Sequence, residues 1–108
     1  MKRNLNVVLK TLDGSPLREQ YTNADNKPAD RDVLLSRLAV NALLVNYPDE
    51  QSLSGEDKVK RFKLAQQIND ADGDVEVTAE QVALLKSLIA KGYTPLVVGQ
   101  AYEILEGE

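Results

Sequence analysis

Residues 33–47, VLLSRLAVNALLVNY, form an apolar stretch broken only by Ser36, Arg37, Asn41 and Asn46. Wound as a helix at about 100° per residue, the stretch carries Leu34, Leu35, Leu38, Ala42 and Val45 on one side and Val33, Val40, Leu43, Leu44 and Tyr47 on the other. A helix with two apolar sides needs cover on both. Burying one large apolar side chain is worth about 1.5–3 kcal/mol, so an uncovered second side would forgo roughly 8–15 kcal/mol, as much as the net stability of a whole domain. Either the rest of the chain or a partner must supply that cover.

The other elements follow from local pattern. Residues 4–11 alternate, with Leu5, Val7 and Leu9 facing one way, and Leu17, Glu19 and Tyr21 alternate again after Asp13-Gly14-Ser15-Pro16. This predicts a hairpin around a turn whose glycine can take positive φ. Residues 22–27 are polar and lead through Pro28 to Asp30, a candidate cap for a helix spanning 31–47 that Pro48 ends. After a linker at 49–54, Ser54 with Asp57 three residues on predicts a helix over about 55–71. Its apolar side is Leu64, Ala65, Ile68 and Ala71, with Val59 and Phe62 displaced from that stripe. The alternation Val75-Glu76-Val77 predicts a short strand able to pair with the hairpin. Thr78 and Gln81 make a capping box for a third helix to about Lys91, with Gly92 as its stop. Thr94-Pro95 opens a fourth helix to about Leu105, amphipathic through Val97, Val98, Ala101, Tyr102, Ile104 and Leu105. Leu96 falls off that stripe.

The expected fold is therefore α+β: a small antiparallel sheet, made by the N-terminal hairpin and a strand near 75–77, packed with four helices around the central helix 31–47. At 108 residues and 11.9 kDa one domain, 1–108, is expected, large enough to close a core without staples. The start MKRNLNVVLKTLD does not have the apolar length of a secretory signal. The stretch 33–47 is too short to span a membrane and carries Arg37 near its middle.

Chemistry is thinly supplied. With no cysteine and no histidine, thiolate chemistry, disulfides and the commonest metal ligand are all removed. The acidic run Asp70, Asp72, Asp74, Glu76 and Glu80 around Gly73 resembles a calcium loop, but with Gly73 at the loop's glycine position the first ligand position falls on Ile68 and the last on Ala79. A solvated acidic turn is the expectation. Lys58, Lys60, Arg61 and Lys63 point in four directions on a helix, so they make no single face for a phosphate backbone. The net charge of −4, with six basic and ten acidic residues in 55–108, also disfavours direct nucleic-acid binding. Ser87 and Lys91, one helical turn apart, could form a serine–lysine pair, yet that spacing is common on exposed helix faces. The tyrosines Tyr21, Tyr47, Tyr93 and Tyr102 suit the rim of a core. No cofactor, no metal and no catalytic residue is expected.

The segments NVVLKTLDGSPL, AVNALL, GEDKVKRFKLAQQI and VTAEQVALLKSLIAKGYTPLVVGQAYEIL resemble a group of short, uncharacterised proteins of tailed bacteriophages and prophages. The resemblance rests on order and spacing of segments, departs mainly at 18–30, and implies expression in a bacterial cytoplasm without implying any activity or functional residue. The expected function is accordingly a non-enzymatic one, exercised by protein–protein interaction or self-association, with Phe62, Leu96 and Leu44 as the candidate contact surface. The alternative is an acidic inhibitor that occupies a host nucleic-acid-binding protein, motivated by the negative second half.

Overall fold

A computed structural model describes residues 1–50 and 52–107. Gln51, within the predicted linker, and Glu108 lie outside the described residues. The elements are β1 (Lys2–Asn4), β2 (Arg18–Thr22), β3 (Pro28–Asp32), α1 (Leu35–Leu44), a single 3-10 turn (Pro48–Glu50), α2 (Gly55–Asp70), β4 (Asp74–Glu76), α3 (Ala79–Gly92) and α4 (Pro95–Glu106). The α+β expectation with four helices and antiparallel strands holds. The strands are divided between two two-stranded sheets, β1 with β4 and β2 with β3.

The predicted hairpin forms for only a few residues. Its turn closes as expected, with the Thr11 amide on the Ser15 carbonyl (2.8 Å), the Leu17 amide on the Leu9 carbonyl (2.8 Å) and Gly14 at φ 90°. The chain 4–11 then departs from β2, because Leu9 donates to Val33 and Val33 donates to Leu17, so three backbone segments meet at one point. Lys10, bridged to Pro16, turns its outer edge to the Gln100 amide, which accepts from the Lys10 N–H (2.8 Å) and donates to its carbonyl (2.7 Å). A helix side chain thus closes the edge that a further strand would otherwise extend.

Residues 28–32, expected as the end of a loop, a helix cap and the first residues of the helix 31–47, form β3 instead. The second hairpin turns through Asn23, whose side-chain oxygen accepts from Asp25 and Lys27, and Asn26, at φ 62°. Asparagine tolerates both roles, and Pro28 stands at the first strand position, where it removes no ladder bond.

With Asp30 held in β3, it does not cap α1. The helix starts at Leu35 with Leu34 in the cap position and no side-chain cap. Its first two amides are answered by the carbonyls of Val7 (to Leu35, 3.0 Å) and Leu5 (to Ser36, 2.7 Å). It ends at Leu44, well before Pro48, which opens the 3-10 turn. The caps of α2 and α3 match their prediction: Ser54 accepts from the Asp57 amide (3.1 Å), and Thr78 and Gln81 form a reciprocal box. Gly92 is the last residue of α3, without the positive φ of a helix stop.

α1 packs against α2 and α3, α3 against α4, and α4 against β1. Leu9, Leu35, Leu85, Ile89 and Leu105 are fully enclosed, and Leu5, Leu64, Ile68, Val77 and Leu88 nearly so. Val75, in β4, and Val77, whose amide donates to the Met1 carbonyl (2.7 Å), carry the strand pairing predicted near 75–77; its partner is Lys2–Asn4. No helix among the described residues is long and apolar enough to cross a membrane.

Candidate functional site

Four of the large apolar side chains that the core leaves exposed lie on or at the end of α1 and α2, three of them on adjoining flanks and Val59 on the outer face of α2. Leu44 is 56% exposed and Val45 43% at the end of α1, while Val59 is 50% and Phe62 51% exposed on α2. These are large apolar groups on two helices that pack together. On α2, Lys58, Phe62, Ala65 and Asn69 follow at spacings of four, three and four, which places them along one stripe. Lys58 lines a cleft shared with the end of α1, and Asn69 lines one that runs along the flank of α1 from Leu34 to Leu44. Phe62 therefore lies along the flank that faces α1, and Leu44, which lines both clefts, stands between them as a ridge.

The cleft at the α1 C-terminus, about 530 Å³, is lined by Leu43, Leu44, Tyr47, Glu50, Lys58 and Arg61 among others. Arg61 occupies the buried stripe of α2 with Leu64, Ala65 and Ile68, and its charge is met by a two-pronged pair to Glu50, 2.8 Å at each oxygen. Lys91 reaches the same carboxylate (3.3 Å) and Asp49 (3.2 Å), and lies 5.0 Å over the Tyr47 ring. Hydrogen bonding from Arg61, reinforced by Lys91, holds the Glu50 carboxyl down at about 2. Burial acts to lower Lys91, but its bonds to Asp49 and Glu50 prevail and raise it. A permanently charged Lys91 is unsuited to be the base of a serine–lysine pair with Ser87, which is exposed.

The second cleft, about 570 Å³, runs along the flank of α1 from Leu34 to Leu44 and is lined by Glu19, Arg31, Ser36, Arg37, Asn41 and Asn69 together with apolar residues. Arg31 lies 4.4 Å over the Tyr21 ring and 3.7 Å from the Glu19 carboxylate. Arg37 donates to the Asp32 carbonyl, and its Nε, like the Arg31 Nε, is buried without a hydrogen-bond partner.

Of the residues singled out from sequence, Leu44 and Phe62 come to neighbouring flanks. Leu96 is half-buried and sits on α4, which packs against α3 and β1. The acidic turn is partly taken up by β4, where Glu76 meets the N-terminal ammonium at 3.4 Å; among the described residues no three acidic side chains are grouped to hold a metal. The sequence places Arg61 in a basic cluster and Arg37 as a break in an apolar run, and neither is among the candidate contact residues read from it. Both carried a signal, since Arg61 shares the spacing of a buried stripe and Arg37 interrupts an apolar run. No protein-family model, curated protein or solved structure matches this chain.

Proposed function

We propose that this chain is a non-enzymatic interaction protein, of the bacteriophage or prophage setting and bacterial cytoplasm that its sequence resemblance implies, and that it docks a partner protein along the α1–α2 seam. The observation that carries the reading is the set of half-exposed apolar side chains Leu44, Val45 and Phe62 on the adjoining flanks of α1 and α2. Aromatic and aliphatic side chains of this kind are the anchors of protein interfaces. The occupant is an amphipathic segment with acidic flanks. Its charge follows from the clefts on either side of Leu44: one pairs Lys58 and Arg61 against Glu50, the other Arg31 and Arg37 against Glu19, so each carries a surplus of one positive charge on a chain of net −4. That local balance supports this reading over an acidic inhibitor, whose contact face would be negative.

The test compares capture of a partner from phage-infected cells by the wild-type chain and by a Leu44→Glu, Phe62→Ser variant, with light scattering to detect self-association. The variant should remain folded and lose the partner, whereas Leu96→Ser should retain it. Equal capture by wild type and the double variant would overturn the reading.

A further inference from the structure

The β2–β3 hairpin is a two-stranded sheet whose strands pack chiefly on each other, and two strands alone are at best marginally stable in water. Its ladder is fixed at both ends: the Val33 amide donates to the Leu17 carbonyl and the Asn23 amide to the Lys27 carbonyl, each at 2.9 Å. Bonded and unbonded pairs alternate along an antiparallel ladder. Between those ends, Glu19 with Arg31 and Tyr21 with Ala29 are therefore the bonded pairs, while Arg18 with Asp32, Gln20 with Asp30 and Thr22 with Pro28 turn their backbone groups outward. The two edges differ. On β3, Pro28 has no amide to offer, the Asp32 carbonyl accepts from the Arg37 side chain, and Asp30 sets a carboxylate between them. On β2, Arg18, Gln20 and Thr22 are exposed, and their amides and carbonyls have no hydrogen-bond partner among the described residues. The Arg18 guanidinium does not guard that edge, because it reaches across the sheet to Asp32 (2.6 Å).

We propose that β2 is a self-association edge: two copies of the chain join β2 to β2, antiparallel about a twofold axis through Gln20, and make one sheet in the order β3-β2-β2-β3. The occupant is a second copy because the sequence REQYT is compatible with its own reverse. Centred on Gln20, the pairing sets Arg18 opposite Thr22, Glu19 opposite Tyr21 and Gln20 opposite itself, so no like charges meet. Opposite charges do approach. Arg31 lies 4.4 Å over the Tyr21 ring, so each Glu19 faces a ring that carries a guanidinium of the other copy, and the twofold axis repeats the contact. The outward residues then exchange the paired backbone bonds that neither copy can make alone. The same operation on β3 would oppose Asp30 to Asp30 and bring Pro28, without a donor, to the ladder. An interface confined to one short edge is small, so the dimer is weak and forms at high local concentration.

Sedimentation velocity of the full chain over a dilution series rising to about 1 mM, the weak end of specific association, tests the proposal together with amide hydrogen exchange at the two extremes. A dimer is expected at the concentrated end, with exchange slowed at the Arg18, Gln20 and Thr22 amides and unchanged at Asp30. Gln20→Pro removes an outward amide from each copy and none from the β2–β3 ladder, and should weaken the dimer about thirtyfold for two lost hydrogen bonds. Gln20→Lys leaves every backbone group in place but opposes like charges, and should weaken it about fivefold; an equal mixture of Gln20→Lys and Gln20→Glu chains should recover it. The Leu44→Glu, Phe62→Ser variant should dimerise as wild type does, which separates this edge from the α1–α2 seam. A dimer that Gln20→Lys leaves intact, or one lost with the Leu44 and Phe62 replacements, would overturn the proposal. So would a chain that stays monomeric throughout, even where a captured partner protects the β2 amides, because the edge then belongs to that partner.

Discussion

Replacing Glu50 by glutamine isolates the ion pair that ties the 3-10 turn to α2. The Arg61 side chain is 9% exposed and the Glu50 side chain 20%, and the two meet through a pair of 2.8 Å hydrogen bonds. Removing one partner of a buried pair costs about 3–5 kcal/mol because the remaining charge is left without compensation. The pair is only partly buried and glutamine keeps one acceptor and the shape, so the loss should fall below that range, roughly 2 kcal/mol. Urea unfolding at neutral pH reads this directly. The pH dependence supplies an independent check. Glu50 is held at about 2 against an ordinary 4.5, so the stability it contributes is fully present above the unfolded value and is lost as pH falls from about 4.5 through 2. Wild type and Glu50→Gln should therefore differ most at neutral pH and converge near pH 2. The double replacement Glu50→Gln, Arg61→Met should recover much of the loss, because no buried charge then lacks a partner. A deficit under about 1 kcal/mol, or curves that stay parallel from pH 7 to pH 2, would refute the argument that this pair is desolvated.

Two further outcomes follow from the packing. Leu44→Asp should leave the chain folded with a small change in urea midpoint, whereas Leu35→Ala, at a fully enclosed position, should cost about 2–5 kcal/mol; the reverse order would remove Leu44 from the surface. Gln100→Ala should free both backbone groups of Lys10 and raise amide hydrogen exchange at Lys10 while leaving exchange in α3 unchanged; unaltered exchange at Lys10 would show that the side chain does not hold that edge.

The parts of the fold that were legible in the sequence are those fixed within one turn of chain. Ser54 and Thr78 each find their acceptor or donor three residues away, so the starts of α2 and α3 are local events. The buried stripes Leu64, Ala65, Ile68 and Val82, Leu85, Ile89 likewise depend on spacing alone. Strand partners depend on distant residues. Nothing near Lys10 announces that Gln100 will occupy its outer edge, and nothing near Asp30 announces that it will pair with Gln20 in a strand. The same non-local pairing shortens α1 at its start, where carbonyls of Leu5 and Val7 replace the expected aspartate cap. Within the candidate site, the exposure of Phe62 was foreshadowed by its displacement from the α2 stripe. The meeting of Arg31 and Arg37 in one cleft was not, because it needs β3 to bring Arg31 there.

The second apolar side of α1 is resolved unevenly, and the remainder bounds what the seam can do. Leu43 is buried, Val33, Val40 and Tyr47 are packed against the core, and Leu44 stays 56% exposed. A partner that covered the exposed halves of Leu44, Val45 and Phe62 would gain about 2–5 kcal/mol, taking half of 1.5–3 kcal/mol for each. Association itself costs roughly 4–15 kcal/mol in lost freedom of motion. The ridge alone therefore leaves little or no surplus, and a stable complex must draw on the positive clefts beside it. Such a complex weakens as salt is raised, because charges at the edge of an interface are screened over about 8 Å at physiological ionic strength. Partner binding that is insensitive to salt between low and high ionic strength would place the affinity in apolar contact beyond this ridge, and would count against the seam as the principal docking surface.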